Sequence, residues 1–147
     1  MIGQMAPDWQ ISGMLGDGPP SPADYRSKPL LLLFFNIGCA GCTGRAVPYT
    51  LELNERYPGL QIAALHASFA ASSTYPDSQV QAVLDYFKVP YPVYLDQGSA
   101  TFDAYQAEGT PRWVLIDAEG RIAKSFFGSM EGAIQRLEYT LAELFDT

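Results

Sequence analysis

Leu30 to Phe35 is an unbroken apolar run, and the pattern of polar and apolar positions differs on its two sides. Upstream, residues 12–29 gather Gly13, Gly16, Gly18, Pro19, Pro20 and Pro22 among Ser and Asp, which reads as loop. The run itself is apolar at every position and ends at Asn36-Ile37-Gly38, predicting a central strand buried on both faces. Downstream the period changes to that of a helix. Ala46, Thr50, Leu53 and Tyr57 share one stripe, predicting a helix over about 43–57 that Pro48 should bend and Tyr57-Pro58-Gly59 should close. Residues 60–67 predict a second strand. Val80, Val83, Leu84 and Phe87 then recur at helical spacing and predict a second helix. Val93-Tyr94-Leu95 reads as a short strand and 99–105 as a short helix. Residues 113–116 and 121–127 flank the turn Asp117-Ala118-Glu119-Gly120, the pattern of an antiparallel hairpin. Met130, Ala133, Ile134, Leu137, Leu141, Leu144 and Phe145 predict a closing amphipathic helix.

This order of elements predicts an α/β fold. Parallel strands need crossover helices, and a hairpin adds antiparallel edges, so a mixed sheet with helices on both faces follows. With 147 residues and no evident linker, the chain suits one domain over 1–147, in which 1–29 form an N-terminal extension and loop. Apolar residues make up 48% and charged residues 17%, a globular balance rather than a disordered one. The net charge of −7, unrelieved by any cluster of Lys and Arg, argues against nucleic acid as a partner. Leu30–Phe35 is too short to cross a bilayer, so no membrane segment is expected. Met1-Ile2-Gly3-Gln4-Met5 lacks the regions of a signal peptide. The expectation is cytoplasmic if Met1 is native and extracytoplasmic if a leader has been removed.

Cysteine usage narrows the chemistry. The chain has two cysteines, both within Cys39-Ala40-Gly41-Cys42. A small disulfide scaffold would spread several pairs along the chain. Structural zinc ordinarily takes four ligands, yet His66 is the sole histidine and there is no second cysteine pair. No metal or other cofactor is therefore expected, and the pair points to redox chemistry. A thiol attacks only as its thiolate, and a Cys-x-x-Cys at a helix N-terminus offers the first sulfur the helix dipole and a neighbouring thiol as donor. Cys39, leaving the strand, is the candidate attacking sulfur, and Cys42, entering the helix, the candidate resolving one. The competing readings are half a metal site or two core thiols.

Gly109-Thr110-Pro111 directly precedes the strand that begins at about Trp113. A proline here either just starts the strand or forms a cis peptide with Thr110, presenting the Thr110 main chain to an extended substrate beside the sulfurs. Its pairing with the Cys-x-x-Cys favours the second reading and makes Thr110 and Pro111 candidate substrate-binding residues.

Several segments fall in a known order: Ala6-Pro7-Asp8-Trp9, the run before Cys-x-x-Cys, Val89-Pro90-Tyr91-Pro92-Val93 with Leu95-Asp96, and Gly109-Thr110-Pro111 with Leu115-Ile116-Asp117-Ala118-Glu119-Gly120-Arg121-Ile122. In this the chain resembles the TlpA/ResA-like thiol–disulfide oxidoreductases of the thioredoxin superfamily, which share an N-terminal extension with peroxiredoxins. The resemblance covers nearly the whole chain. It implies a thioredoxin-like three-layer α/β/α sandwich with a mixed central sheet, Cys39 and Cys42 cycling between dithiol and disulfide, and Pro111 cis beside them. Implied partners are protein or small-molecule disulfides and thiols, together with an upstream redox partner. Such proteins are usually exported and often membrane-anchored.

The chain departs from the pattern at four places. Gly38 replaces a common Trp before the first cysteine, which leaves Cys39 more open on that side. Arg45 stands where many members carry Glu, and Leu33 where thioredoxins place a buried Asp, so neither usual proton acceptor for the resolving thiol is present. Pro48 lies six residues after Cys42 rather than five, a difference a helical bulge can absorb. Arg45 favours thiolate if it points at the sulfurs and is otherwise a solvated surface residue. Arg112 carries the same two readings. His66, late in the second strand, is either a proton shuttle or a histidine without a catalytic role. Two rival functions remain. A peroxiredoxin-like thiol peroxidase would want Pro-x-x-x-Thr-x-x before its cysteine, but counting back from Cys42 puts Cys39 at the Thr position and Phe35 at the Pro position. A non-catalytic binding module would use the groove without turnover.

Overall fold

The computed structural model describes residues 1–145. A six-stranded mixed sheet runs in the order β1-β4-β3-β2-β5-β6. Its strands are β1 (Ile11–Leu15), β2 (Leu30–Phe35), β3 (Gln61–His66), β4 (Val93–Asp96), β5 (Arg112–Ile116) and β6 (Ile122–Phe127). The helices are α1 (Val47–Arg56), α2 (Asp77–Phe87), α3 (Ala100–Ala104) and α4 (Glu131–Phe145). β2, β3 and β4 are parallel, while β1 joins β4, β5 joins β2 and β6 joins β5 in antiparallel pairs. Among the described residues no helix is long and apolar enough to cross a membrane.

β2 is buried along its whole length because both of its faces are covered. Leu31, Leu33 and Phe35 face one cluster with Val47 and Leu53 of α1, Val80 and Leu84 of α2, and Ile134, Leu137 and Leu141 of α4. Leu30, Leu32 and Phe34 face the other, with Trp9, Tyr25, and Phe102 and Tyr105 at α3. The three layers expected from the order of elements are present. The stripe Ala46, Thr50, Leu53 and Tyr57 is buried as its spacing requires.

Two local expectations need correction. Residues 12–29, read as loop, contain most of β1 and a 3-10 turn at Pro22–Tyr25. β1 pairs with β4 through a register slip between Ile11 and Gly13, and that non-local pairing overrides the weak strand propensity of Ser12 and Gly13. The helix expected over about 43–57 begins instead as a π turn, Cys42–Ala46, in which the Val47 N–H donates to the Cys42 carbonyl. This turn is the bulge that the late Pro48 calls for. Pro48 then falls in the first turn of α1, where a missing N–H does least harm, so the helix is widened at its start rather than bent in its middle.

Register places the C-terminal end of β2 between two chemical neighbours. Phe35 lies beside His66 of β3, and Phe34 beside Arg112 of β5, which brings Thr110 and Pro111 level with the residues that leave β2.

Candidate active site

Three loops converge at this end of the sheet. The first leaves β2 through Asn36, whose carbonyl accepts the Cys39 N–H at 3.0 Å. The Cys39 carbonyl in turn accepts the N–H groups of Cys42 at 3.0 Å and Thr43 at 3.2 Å, so Cys39 heads the helix and Cys42 lies inside its first turn. Cys39 is half-buried and Cys42 is fully buried, both as free thiols. The second loop carries the Thr110–Pro111 peptide, which is cis as the sequence motif suggests. The Cys39 thiol donates to the Thr110 carbonyl at 3.4 Å, which brings the two motifs into contact. The third loop follows β6. Its Gly128 N–H donates to the Pro111 carbonyl at 2.8 Å, and the Gly128 carbonyl accepts the buried Trp113 indole N–H at 3.0 Å.

Close packing explains why Gly41 lies between the cysteines. A Cβ there would collide with the Ser129 hydroxyl and reach Pro111 Cδ at 3.7 Å, so a larger residue would require the Ser129 side chain to turn away.

The two sulfurs sit in different electrostatic surroundings. Burial pushes the Cys42 thiol up to about 12, and the adjacent Cys39 sulfur pushes the same way, while the Asn36 backbone and the Thr110 side chain pull it down. Leu33 is fully buried and apolar, and Arg45 is exposed. Arg45 is not among the groups that move the Cys42 thiol. Arg112 points across the hairpin, where its Nε donates to the Ser125 hydroxyl at 2.9 Å. Among the described residues no cluster of His, Cys, Asp and Glu is arranged to hold a metal ion.

Asn36, Tyr75 and Ser129, which sequence reasoning passed over, join His66 in completing the site. Asn36, nearly fully buried, donates from Nδ2 to the carbonyls of Ala67 and Ser73, each at 2.8 Å, and accepts the Gly38 N–H on Oδ1 at 2.9 Å. It ties the cysteine loop to the segment between β3 and α2. A polar residue directly after an all-apolar strand was the available signal. Tyr75, from that segment, sets its hydroxyl in the space a side chain at 38 would need. Nothing in one dimension announces that contact, nor that of Ser129 with Gly41. His66 is buried, and its Nε2 accepts the Ile37 N–H at 3.1 Å.

The comparisons with known proteins agree with this geometry. The Redoxin family profile matches residues 1–141. The thiol-disulfide oxidoreductase ResA of Geobacillus thermodenitrificans is 30% identical over 144 residues, covering 93% of this chain and 76% of that protein. A solved thioredoxin-like superfamily protein superposes with a TM-score of 0.81 at 26% identity, covering 93% of this chain and 94% of its own. A thiol-disulfide isomerase from Corynebacterium glutamicum superposes with a TM-score of 0.77 at 25% identity, covering 90% and 92%.

Proposed function

The chain belongs to the Redoxin family, as a TlpA/ResA-like member of the thioredoxin superfamily, and from that premise we propose that it exchanges disulfides with thiol partners through Cys39 and Cys42. The Cys39 thiolate attacks one sulfur of a substrate disulfide. A Cys39–substrate mixed disulfide forms, the substrate S–S bond breaks, and the second substrate sulfur leaves as a thiolate that takes up a proton. Cys42 then loses its proton and attacks Cys39 Sγ, forming the Cys39–Cys42 disulfide and releasing the remaining substrate thiol. Two electrons pass from the dithiol to the substrate, and the reverse sequence oxidises a substrate dithiol.

The observation that carries this reading is the asymmetry of the pair. One sulfur is half-exposed at a helix start, while the other is buried and held as a thiol up to about 12. Cys39 is the sulfur that a partner can reach. Once Cys39 is tied up in a mixed disulfide, its own upward push on Cys42 is removed, so the resolving thiol ionises more readily when it is needed. The Thr110 main chain, beside Cys39 and next to the cis peptide, is the edge along which an extended substrate would lie. The partners are protein or small-molecule disulfides and thiols.

The test pairs trapping with turnover. Cys42→Ser should form a covalent adduct with a disulfide substrate, seen by intact mass, and Cys39→Ser should not. The wild type should speed insulin-disulfide reduction by dithiothreitol and leave hydrogen peroxide unconsumed. Equal trapping by both variants, or peroxide loss without insulin reduction, would overturn the assignment.

A further inference from the structure

His66 lies at the end of β3, opposite Phe35 in the parallel register, where the chain turns from β2 into the cysteine loop. Its Nε2 accepts the Ile37 N–H at 3.1 Å, two residues before Cys39. A neutral imidazole that accepts on Nε2 carries its proton on Nδ1. Ring contacts hold it edge-on to Phe35 at 5.2 Å and to Tyr75 at 6.4 Å. Asn36 adds side-chain bonds to Ala67, Ser73 and Gly38, and the Cys39 thiol donates to the Thr110 carbonyl. Of the two ionisable side chains bonded to the loop backbone among the described residues, Cys42 at Asn36 and His66 at Ile37, only His66 accepts from a backbone N–H through an atom that protonation would block.

We propose that His66 is a positioning residue for thiol–disulfide exchange: its neutral imidazole clamps the Ile37 amide and so fixes the loop that presents Cys39. The proposal rests on the assignment of Cys39 as the attacking sulfur. A protonated imidazole has two donors and no acceptor, so it would set one N–H against another at Ile37 and release the loop. His66 acts on Cys39 through the backbone and is too committed to that amide to serve as the proton shuttle its position first suggests.

The groups that face His66 define what competes with its neutrality. Asp77 at the start of α2 favours the charged form, but burial outweighs it and pulls His66 down to about 4. Asp96 of β4 lines the same cleft of about 260 Å³, with its carboxylate committed to the N–H groups of Thr101 and Phe102. Tyr75 lines that cleft from the loop before α2, and β1 contributes Ser12. β2 contributes the Phe35 ring, and Cys39 is the titratable group on the clamped loop itself.

Two variants separate the clamp from general packing. His66→Gln keeps an acceptor at comparable reach and cannot titrate, whereas His66→Leu has no acceptor. In the reduced full-length chain, amide exchange at Ile37 should quicken about tenfold in His66→Leu, as expected for loss of one hydrogen bond, and return towards wild type in His66→Gln. The Ile37 amide resonance should titrate near pH 4 in wild type and stay flat in His66→Gln. The rate of Cys39 with 4,4′-dithiodipyridine, an aromatic disulfide reactive in acid, should show an inflection there that His66→Gln lacks. If His66→Leu does not fold, the wild-type and His66→Gln comparison decides the matter. An Ile37 resonance that does not follow His66 overturns the clamp. A titrating Ile37 with superimposable Cys39 rate profiles overturns the positioning role. Full exchange activity in Cys39→Ser would instead sink the assignment of the attacking sulfur, and the amide titration would be unaffected by that failure.

Discussion

Acid should destabilise this protein through His66 in a way that one substitution isolates. The side chain is 4% exposed, and burial lowers it from 6.5 in the unfolded chain to about 4 in the fold. Between those values the unfolded state binds the proton and the folded state does not. Stability present above about 6.5 is therefore lost as the pH falls towards 4, and the loss levels off below that. At ~1.4 kcal/mol per pH unit of difference, the loss is about 2 kcal/mol by pH 5 and about 3 kcal/mol by pH 4. Carboxylates also titrate in this range, so the wild-type curve alone does not isolate the histidine. Urea denaturation of wild type and His66→Gln at pH 7, 5 and 4 does, because the carboxylates are common to both. The difference in unfolding free energy should shift in favour of the glutamine variant by those amounts. Parallel curves across the whole range would show that the imidazole titrates alike in both states and would refute the reasoning.

Two further outcomes concern the approaches to Cys39. Gly38→Ala should destabilise the fold by about 1–2 kcal/mol, since the new Cβ must push the Tyr75 hydroxyl aside and comes within 3.2 Å of Asn36 Oδ1. In a Tyr75→Ala background most of that penalty should disappear, giving a coupling of about 1 kcal/mol in a double-mutant cycle by urea denaturation, and independent effects would place the clash elsewhere. Arg45→Glu should leave the alkylation rate of Cys39 unchanged at moderate salt, because the guanidinium is exposed and its charge is screened. A clear fall in that rate would return Arg45 to the active site.

The fold was legible wherever local pattern and tertiary burial ask for the same residues. β2 is apolar at every position because it is covered on both faces, and the α1 stripe repeats at the helical period because it packs on one. β1 was not legible. Ser12 and Gly13 carry little strand preference, and what makes them a strand is pairing with β4, some eighty residues away and slipped by a residue. The site divides in the same way. Cys39, Cys42, Thr110 and Pro111 belong to short motifs whose contact at 3.4 Å follows once β2 and β5 are neighbours. Tyr75 over Gly38 and Ser129 over Gly41 depend on how separate loops meet, and the two glycines recorded only that something had to fit there.

The absence of carboxylates at positions 33 and 45 first read as a missing proton acceptor, and the structure gives it a second meaning. The residues that shape the site are Asn36, Thr110, Tyr75, Ser129 and His66, and none is a carboxylate, Lys or Arg. A buried acidic group beside Cys42 would add its own repulsion to a thiol that burial already holds up. With neutral neighbours, the largest change in charge that Cys42 would experience in the proposed exchange comes from Cys39 itself, when its sulfur passes from thiolate to mixed disulfide. On the proposed assignment, ionisation of the resolving thiol would be coupled to arrival of the substrate rather than to a fixed base. The same neutrality makes the geometry of the cysteine loop depend on hydrogen bonds instead of ion pairs, and so on the one bonded side chain that can lose its acceptor within a few units of neutral pH. That side chain is His66.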